Sequence, residues 1–201
     1  LKIYGEILSE TNHENQEAID TILAPTEKLD FLIQSLVKLS RMESGIIAVH
    51  SEDTTITQML EAIQQQVSVK GREKNITLSL CDTDLHIRCD SKWTVEALGN
   101  IVDNAIKYTA CGGNVQIKVE QYSFFVKIDI IDDGIGIEKE EIPKIFGRFY
   151  RSLSVADQPG VGIGLFLARE IIQAQKGYIK VTSKRGKGST FSVFLPIAKK
   201  E

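Results

Sequence analysis

The residues best suited to chemistry lie in three short stretches. In the first, Glu96 to Thr109, the side chains of Glu96, Asn100, Asn104 and Lys107 recur at helical spacing as one polar stripe. Val95, Leu98, Val102, Ala105 and Thr109 fall on the other side. Asparagine is a weak helix former that competes for backbone hydrogen bonds, so two of them one turn apart suggest something to bind. Amide oxygens ligate a hard cation and amide nitrogens donate to phosphate oxygens. Asn100, Asn104 and Lys107 therefore suit a magnesium-bound polyphosphate. A solvated helix face would carry the same residues, and this stretch alone leaves both readings open.

The second stretch is Asp132-Asp133-Gly134-Ile135-Gly136, at the end of an alternating strand. Asp132 shares its parity, and so its face, with Val126, Ile128 and Ile130. A carboxylate aimed at apolar surroundings is costly unless hydrogen-bonded, and an adenine amino group is a suitable donor. Gly134 and Gly136 would let the backbone approach a flat ring closely. An ordinary Asp-Gly turn has the same residues. The third stretch is Gly160-Val161-Gly162-Ile163-Gly164-Leu165, which opens a helix. Glycines there expose backbone N–H groups, and the helix dipole favours an anion such as a phosphate chain. Its spacing is not that of a dinucleotide fingerprint, and Gly186-Lys187-Gly188-Ser189-Thr190 lacks the context of a P-loop. The polar segment Phe149–Pro159 has the length and character of a lid over a ligand.

The elements that must position these residues follow from periodicity. A helix under way at Leu1–Leu8 and a long helix ending near Ser44 precede Gly45. The long helix carries a seven-residue repeat, Ile22, Leu29 and Leu36 interleaved with Ala18, Leu32 and Leu39, and Pro25 should kink it. That seam calls for a partner. Beyond Gly45 the pattern predicts strands at Ile46–His50, Ile76–Leu80, Leu85–Cys89, Val115–Glu120, Phe124–Ile131, Tyr178–Ser183 and Thr190–Leu195. Helices are expected at Thr54–Lys70, over the asparagine stretch and at Ile163–Gln175. Strand runs joined by short turns favour an α+β fold, a two-layer sandwich with helices on one face of a mixed sheet. The expected division is a partial helical domain over residues 1–45 and a second domain over 46–201.

Composition narrows the class. The 201 residues, 42% of them hydrophobic, suffice for a proper core, and a net charge of −3 gives no reason to expect nucleic acid or an anionic membrane as partner. No apolar run reaches membrane-spanning length, and the first residues lack a signal-peptide pattern, so a cytoplasmic location is expected. Cys81, Cys89 and Cys111 form no Cys-x-x-Cys pair, which argues against a disulfide framework or a zinc site.

Together, in this order, the stretches resemble a known family. Asn100-x-x-Asp103-Asn104-Ala105-x-Lys107-Tyr108, Asp132-x-Gly134-x-Gly136, Phe146-x-x-Phe149-Tyr150-Arg151 and Gly160-x-Gly162-x-Gly164-Leu165 are similar to the N, first glycine, F and second glycine boxes of bacterial sensor histidine kinases. The run Leu39-Ser40-Arg41-Met42-Glu43-Ser44-Gly45 resembles the end of the second helix of their dimerisation domain. The resemblance implies the ATP-binding fold shared with gyrase B and the ninety-kilodalton heat-shock chaperones, preceded by the remnant of a helical hairpin. It implies ATP and Mg2+ as cofactors. Asn104 would hold magnesium with help from Asn100, and Lys107 and Arg151 would meet phosphates. Tyr108 would lie against adenine, Asp132 would take its amino group, and Gly160, Gly162, Gly164 and Leu165 would line the phosphate lid. Thr190 would support the adenine end.

The resemblance also implies a reaction. The position of Asn100 is a water-activating glutamate in the gyrase branch, and an amide cannot act as a general base at neutral pH. The site is thus suited to hand a γ-phosphoryl group to a histidine, for relay to an aspartate on a response-regulator receiver domain. Asn100, Lys107 and Arg151 would do the catalytic work. The phosphoacceptor histidine is expected outside this chain, because His13, though followed by Glu14, lacks the family's surrounding residues, and His50 and His86 lie in or beside predicted strands. A homodimer through the N-terminal helices and a membrane-anchored parent protein are implied as well. Alternatives are a non-catalytic nucleotide-gated dimerisation module, or an ATPase or serine kinase of the same superfamily.

Overall fold

The strand Phe125–Asp132 (β5) sets the architecture. Val126, Ile128 and Ile130 alternate with Lys127 and Asp129, a period-two pattern that fits a half-buried strand, and the three aliphatic side chains are fully buried. Antiparallel to it on either side run β4 (Asn114–Gln121) and β7 (Ser189–Pro196). An antiparallel β6 (Tyr178–Ser183) joins β7, and a parallel β2 (Thr77–Leu80) joins β4, which makes the sheet order β2-β4-β5-β7-β6. A separate ribbon pairs β1 (Glu52–Thr55) with β3 (His86–Cys89). The computed structural model describes residues 49–152 and 160–197, together with Val155, Gln158 and scattered positions between Leu23 and Ser40.

Three amphipathic helices, α1 (Ile56–Glu73), α2 (Ser91–Tyr108) and α3 (Gly164–Ala174), cover one face of the sheet. Ile63 and Val67 of α1, Ile101 and Val102 of α2, and Leu167 and Ile171 of α3 are buried with the inward-facing side chains of β4, β5 and β7. Each such side chain contributes about 1.5–3 kcal/mol by leaving water, which makes this interlayer the main source of stability. Helix α2 is capped at its start by Asp90, whose carboxylate accepts from Trp93 N–H at 3.1 Å. Its buried arc is wider than the expected stripe, since Ala97, Ile101 and Ile106 are buried and Val95 is only half-buried. The physical reason is its central place, with α1 on one side and α3 on the other.

The expected sandwich is present, and it includes a strand that periodicity does not predict. Val49 and His50 have no regular structure, and the first strand is Glu52–Thr55, paired through Asp53 with Arg88. Ile46–Ala48 lie outside the described residues. Pairing with β3, rather than local hydrophobicity, decides where this strand forms. The three cysteines are free thiols.

The chain divides into two compact units, Leu1–Ala48 with Val155–Val161, and Val49–Ser154 with Gly162–Glu201. In the first, the described positions from Leu23 to Ser40 are helical, and Leu29, Ile33, Leu36 and Val37 are exposed. Ala18, Ile22 and Leu39 of the expected seam, the Leu1–Leu8 helix and His13 lie outside the described residues.

Gly188 opens β7 with φ +83°, and a Cβ there would sit 1.9 Å from the Asp132 carbonyl oxygen. Gly188→Ala is expected to cost about 1–3 kcal/mol in unfolding free energy, read as a lower urea midpoint at unchanged slope.

Candidate functional site

The site is built where α2, α3 and the end of β5 meet. Helices α2 and α3 run antiparallel, as two contacts show. Gln175 after α3 accepts through Oε1 from Asp90 N–H (2.6 Å) and Thr94 Oγ1 (3.2 Å) at the start of α2. At the other end, a Cβ on Gly164 would lie 3.0 Å from Asn100 Oδ1. The first turn of α3 has no side-chain cap and no acidic residue. Its N–H groups and positive dipole end therefore stand beside an amide oxygen, at a place that admits only a glycine comfortably.

Asn100 donates through Nδ2 to Glu96 O at 2.9 Å, which fixes the amide orientation and leaves Oδ1 facing Gly164. One turn on, Asn104 is half-buried and makes no side-chain hydrogen bond to a described residue, whereas Asp103 between them is paired with Lys70. The Lys107 ammonium lies 4.7 Å from the centre of the Tyr108 ring. The polar stripe of α2 is thus half-buried along its length rather than fully solvated.

At the sheet end, Asp132 is 7% exposed. Its Oδ1 accepts from Gly134 N–H at 2.9 Å and Ser189 N–H at 3.2 Å, and Oδ2 accepts no hydrogen bond from a described residue. Burial pushes the carboxyl above the ordinary carboxylate range, opposed by those two N–H groups, and neighbouring Asp133 adds to the upward shift. Asp133 itself is held below that range by the backbone and side chain of Asn114, both bonds 2.8 Å, and serves the turn. Ile135 N–H donates to Tyr108 O (3.2 Å), and a Cβ on Gly134 would meet the same oxygen at 2.5 Å. The glycine loop is therefore seated on the last turn of α2. Gly136, with φ +66°, lies so close to Lys184 that a side chain would collide with its carbonyl. Thr109, 2% exposed, has a buried hydroxyl with no partner among the described residues.

The loop Phe146–Arg151 joins the same site from the other side. A Cβ on Gly162 would strike Tyr150 O at 2.6 Å, and this glycine takes φ +79°. Arg148 lies over the Phe166 ring at 4.7 Å, and Arg169 over Phe166 and Phe146 at 5.4 and 5.8 Å. This stack ties the loop to α3. Arg151 and Leu165 are half-buried. Gly160 belongs to the other compact unit.

One expected residue is displaced. Thr190 pairs with Ile131, so its side chain lies on the face of the sheet opposite Asp132. Ser189 pairs with Asp132, is 7% exposed and shares a hydrogen bond with Ser183 at 2.9 Å. The hydroxyl on the face of Asp132 is that of Ser189. The parity of Asp132 was readable, but the hairpin register that pairs it with Ser189 was not.

The arrangement fits a nucleotide. A half-buried amide without a partner, an uncapped helix start, a spare carboxylate oxygen and glycines where any Cβ would collide form a polar cradle for a flat base and a phosphate chain. Among the described residues no group of three or more His, Cys, Asp or Glu side chains is placed to hold a metal. A cation here would be bound by amide oxygens and by oxygens of the ligand.

Residues 89–199, more than half of the chain, match the family of histidine kinase-, DNA gyrase B- and HSP90-like ATPases. The sensor histidine kinase WalK of Bacillus subtilis is 32% identical over 98% of this chain and 34% of its own length. Two solved structures with 21% identity show the same fold. Full-length ShkA in complex with AMPPNP has a TM-score of 0.81 over 97% of this chain and 42% of ShkA, and ThkA in complex with the response regulator protein TrrA has 0.75 over 98% and 57%. The chain belongs to this ATPase family, and it carries the ATP-binding catalytic core of sensor histidine kinases. It spans about a third of the length of curated relatives such as WalK.

Two expectations follow. Acceptance of an adenine amino proton needs Asp132 ionised, so ATP affinity is present above its raised pKa and falls as pH drops through it, at higher pH than for an ordinary carboxylate. Asp132→Asn should weaken binding of a non-hydrolysable ATP analogue by about 1–3 kcal/mol and remove that acid limb, as measured by calorimetry across pH. Ser189→Ala should cost about 1 kcal/mol of binding, whereas Thr190→Val should leave it unchanged; the reverse ranking would restore Thr190 to the site.

Proposed function

We propose that this chain is the kinase core of a two-component sensor, which binds Mg-ATP and delivers its γ-phosphoryl group to a histidine outside the chain. The observation that carries this reading is the pairing of Asn100 Oδ1 with the uncapped start of α3 at Gly164, within the unit that also holds Asp132. Asp132 and Ser189 hold the adenine end, with Tyr108 beside it. Asn104, with Asn100, supplies oxygen ligands to magnesium, which neutralises charge on the phosphates when bound. Lys107, Arg151 and the N–H groups following Gly162 stabilise the negative charge of the transferring group. Leu165 lines the phosphate lid, a place the resemblance implies for Gly160 as well.

The absence of a general base at position 100 supports transfer to a nucleophile over hydrolysis. The amide of Asn100 cannot take a proton from water, and its nitrogen is already committed to Glu96. ShkA, which shares this fold, is solved with AMPPNP, and ThkA with a response regulator protein; the two complexes support ATP and a receiver domain as partners here. The exposed stripe Leu29, Ile33, Leu36 and Val37 supports a homodimer through the N-terminal helices. Among the described residues no helix is long and apolar enough to cross a membrane.

The test is transfer in trans. Incubation with γ-labelled ATP, magnesium and a separately expressed helical hairpin carrying a phosphoacceptor histidine should yield acid-labile phosphohistidine on the hairpin. Asn104→Asp, which alters the metal ligand, should lower the rate at least about tenfold. Release of inorganic phosphate without phosphohistidine would replace this reading with that of an ATPase.

A further inference from the structure

Lys74, immediately after α1, stands in an arrangement that none of the sequence motifs includes. Its ammonium donates to three carbonyls at the C-terminal end of α2: Ile106 O at 2.9 Å, Lys107 O at 2.8 Å and Thr109 O at 2.6 Å. The last carbonyls of a helix have no partner within it, and a cation there is favoured by the dipole as well. The skipped carbonyl, that of Tyr108, is the one that accepts from Ile135 N–H in the loop after Asp132. Lys74 and the glycine loop thus divide the end of α2 between them. Lys74 saturates the flanking oxygens and leaves a single acceptor free for the loop.

The contact belongs to a polar seam that sets α2 along its axis. Gln66, Lys70 and Lys74 are spaced four residues apart on α1 and run on at the helix end. Gln66 Oε1 lies 3.0 Å from where a Cβ on Gly99 would be, and Lys70 pairs with Asp103. Apolar packing resists sliding weakly, because neighbouring aliphatic side chains are interchangeable partners; three directional bonds from one ammonium do not slide. The Lys70 pair is exposed on both sides and adds little. The Lys74 backbone is tied in the same region, since its carbonyl accepts from Gly112 N–H at 3.0 Å.

We infer that Lys74 is a positioning residue for adenine recognition, holding the end of α2 so that Tyr108 and the Asp132–Gly136 loop keep the spacing that an adenine amino group needs. This rests on the nucleotide reading above. Lys74 touches neither base nor phosphate in this assignment, and its effect passes through the Tyr108 carbonyl and the Ile135 N–H.

The experiment compares two non-hydrolysable triphosphates, one with adenine and one with hypoxanthine, which lacks the amino group. Lys74→Met keeps the aliphatic stem and removes the donors. Its affinity for the adenine compound is expected to fall about tenfold while that for the hypoxanthine compound moves less than about twofold, so discrimination collapses. Lys74→Arg should restore most of the discrimination. If Lys74→Met does not fold, as judged by thermal denaturation, Lys74→Gln is read by the same ratio. Unchanged adenine affinity, or equal losses for both compounds, would overturn the inference. Failure of the unsubstituted chain to bind either compound would instead overturn the nucleotide reading on which it rests.

Discussion

The costliest group in this fold is the Asp132 carboxylate, set at the end of a strand whose other inward residues are Val126, Ile128 and Ile130. A charge in that setting needs compensation, and two N–H groups provide only part of it. Much of the surrounding structure serves to supply those donors. Gly134 turns tightly enough to aim its own N–H back, and Gly188 lets β7 begin against the Asp132 carbonyl so that the Ser189 N–H arrives from the other side. An apolar residue at position 132 would be cheaper for folding. The retained carboxylate, with one oxygen uncommitted, is the physical sign that this end of the sheet is shaped for a ligand.

The phosphate end obeys a different constraint. There the cost is not a buried charge but an unsatisfied helix start, and the antiparallel packing of α2 and α3 brings Asn100 to it. The amide of Asn100 adds no negative charge beside that helix start, which stays favourable to an anion. The start of α3 and the glycine loop are therefore seated on the same helix, α2, which turns its middle to the one and its last turn to the other.

How much of this was legible in the sequence depends on the range of the interaction. The asparagine stripe, the face of Asp132 and the sandwich of helices on a mixed sheet follow from periodicity, because each is decided within one element. The strand Glu52–Thr55 does not show in the pattern, since its residues are polar and only the pairing of Asp53 with Arg88 selects it. That Ser189, not Thr190, shares the face of Asp132 is hidden for the same reason: it rests on a register between strands separated by a helix. The Lys74 contacts were invisible, because a lysine after a helix reads as an ordinary solvated charge until the end of another helix is brought to it. The stack of Arg148 and Arg169 on Phe166 is likewise a product of tertiary structure.

The bond between Asp132 and Ser189 spans 57 residues of chain, and the strands it joins flank the whole of α3. Closing so long a loop carries an entropic cost that must be met before the contacts it permits are gained, so sheets of this connectivity assemble slowly. The hairpin of β4 and β5 can form early from neighbouring residues, whereas the adenine end is completed only when β7 docks. In the order of folding, the full set of donors to Asp132 is thus a late arrival, and a nascent chain presents Asp132 with its local Gly134 donor well before the Ser189 donor that completes the pair.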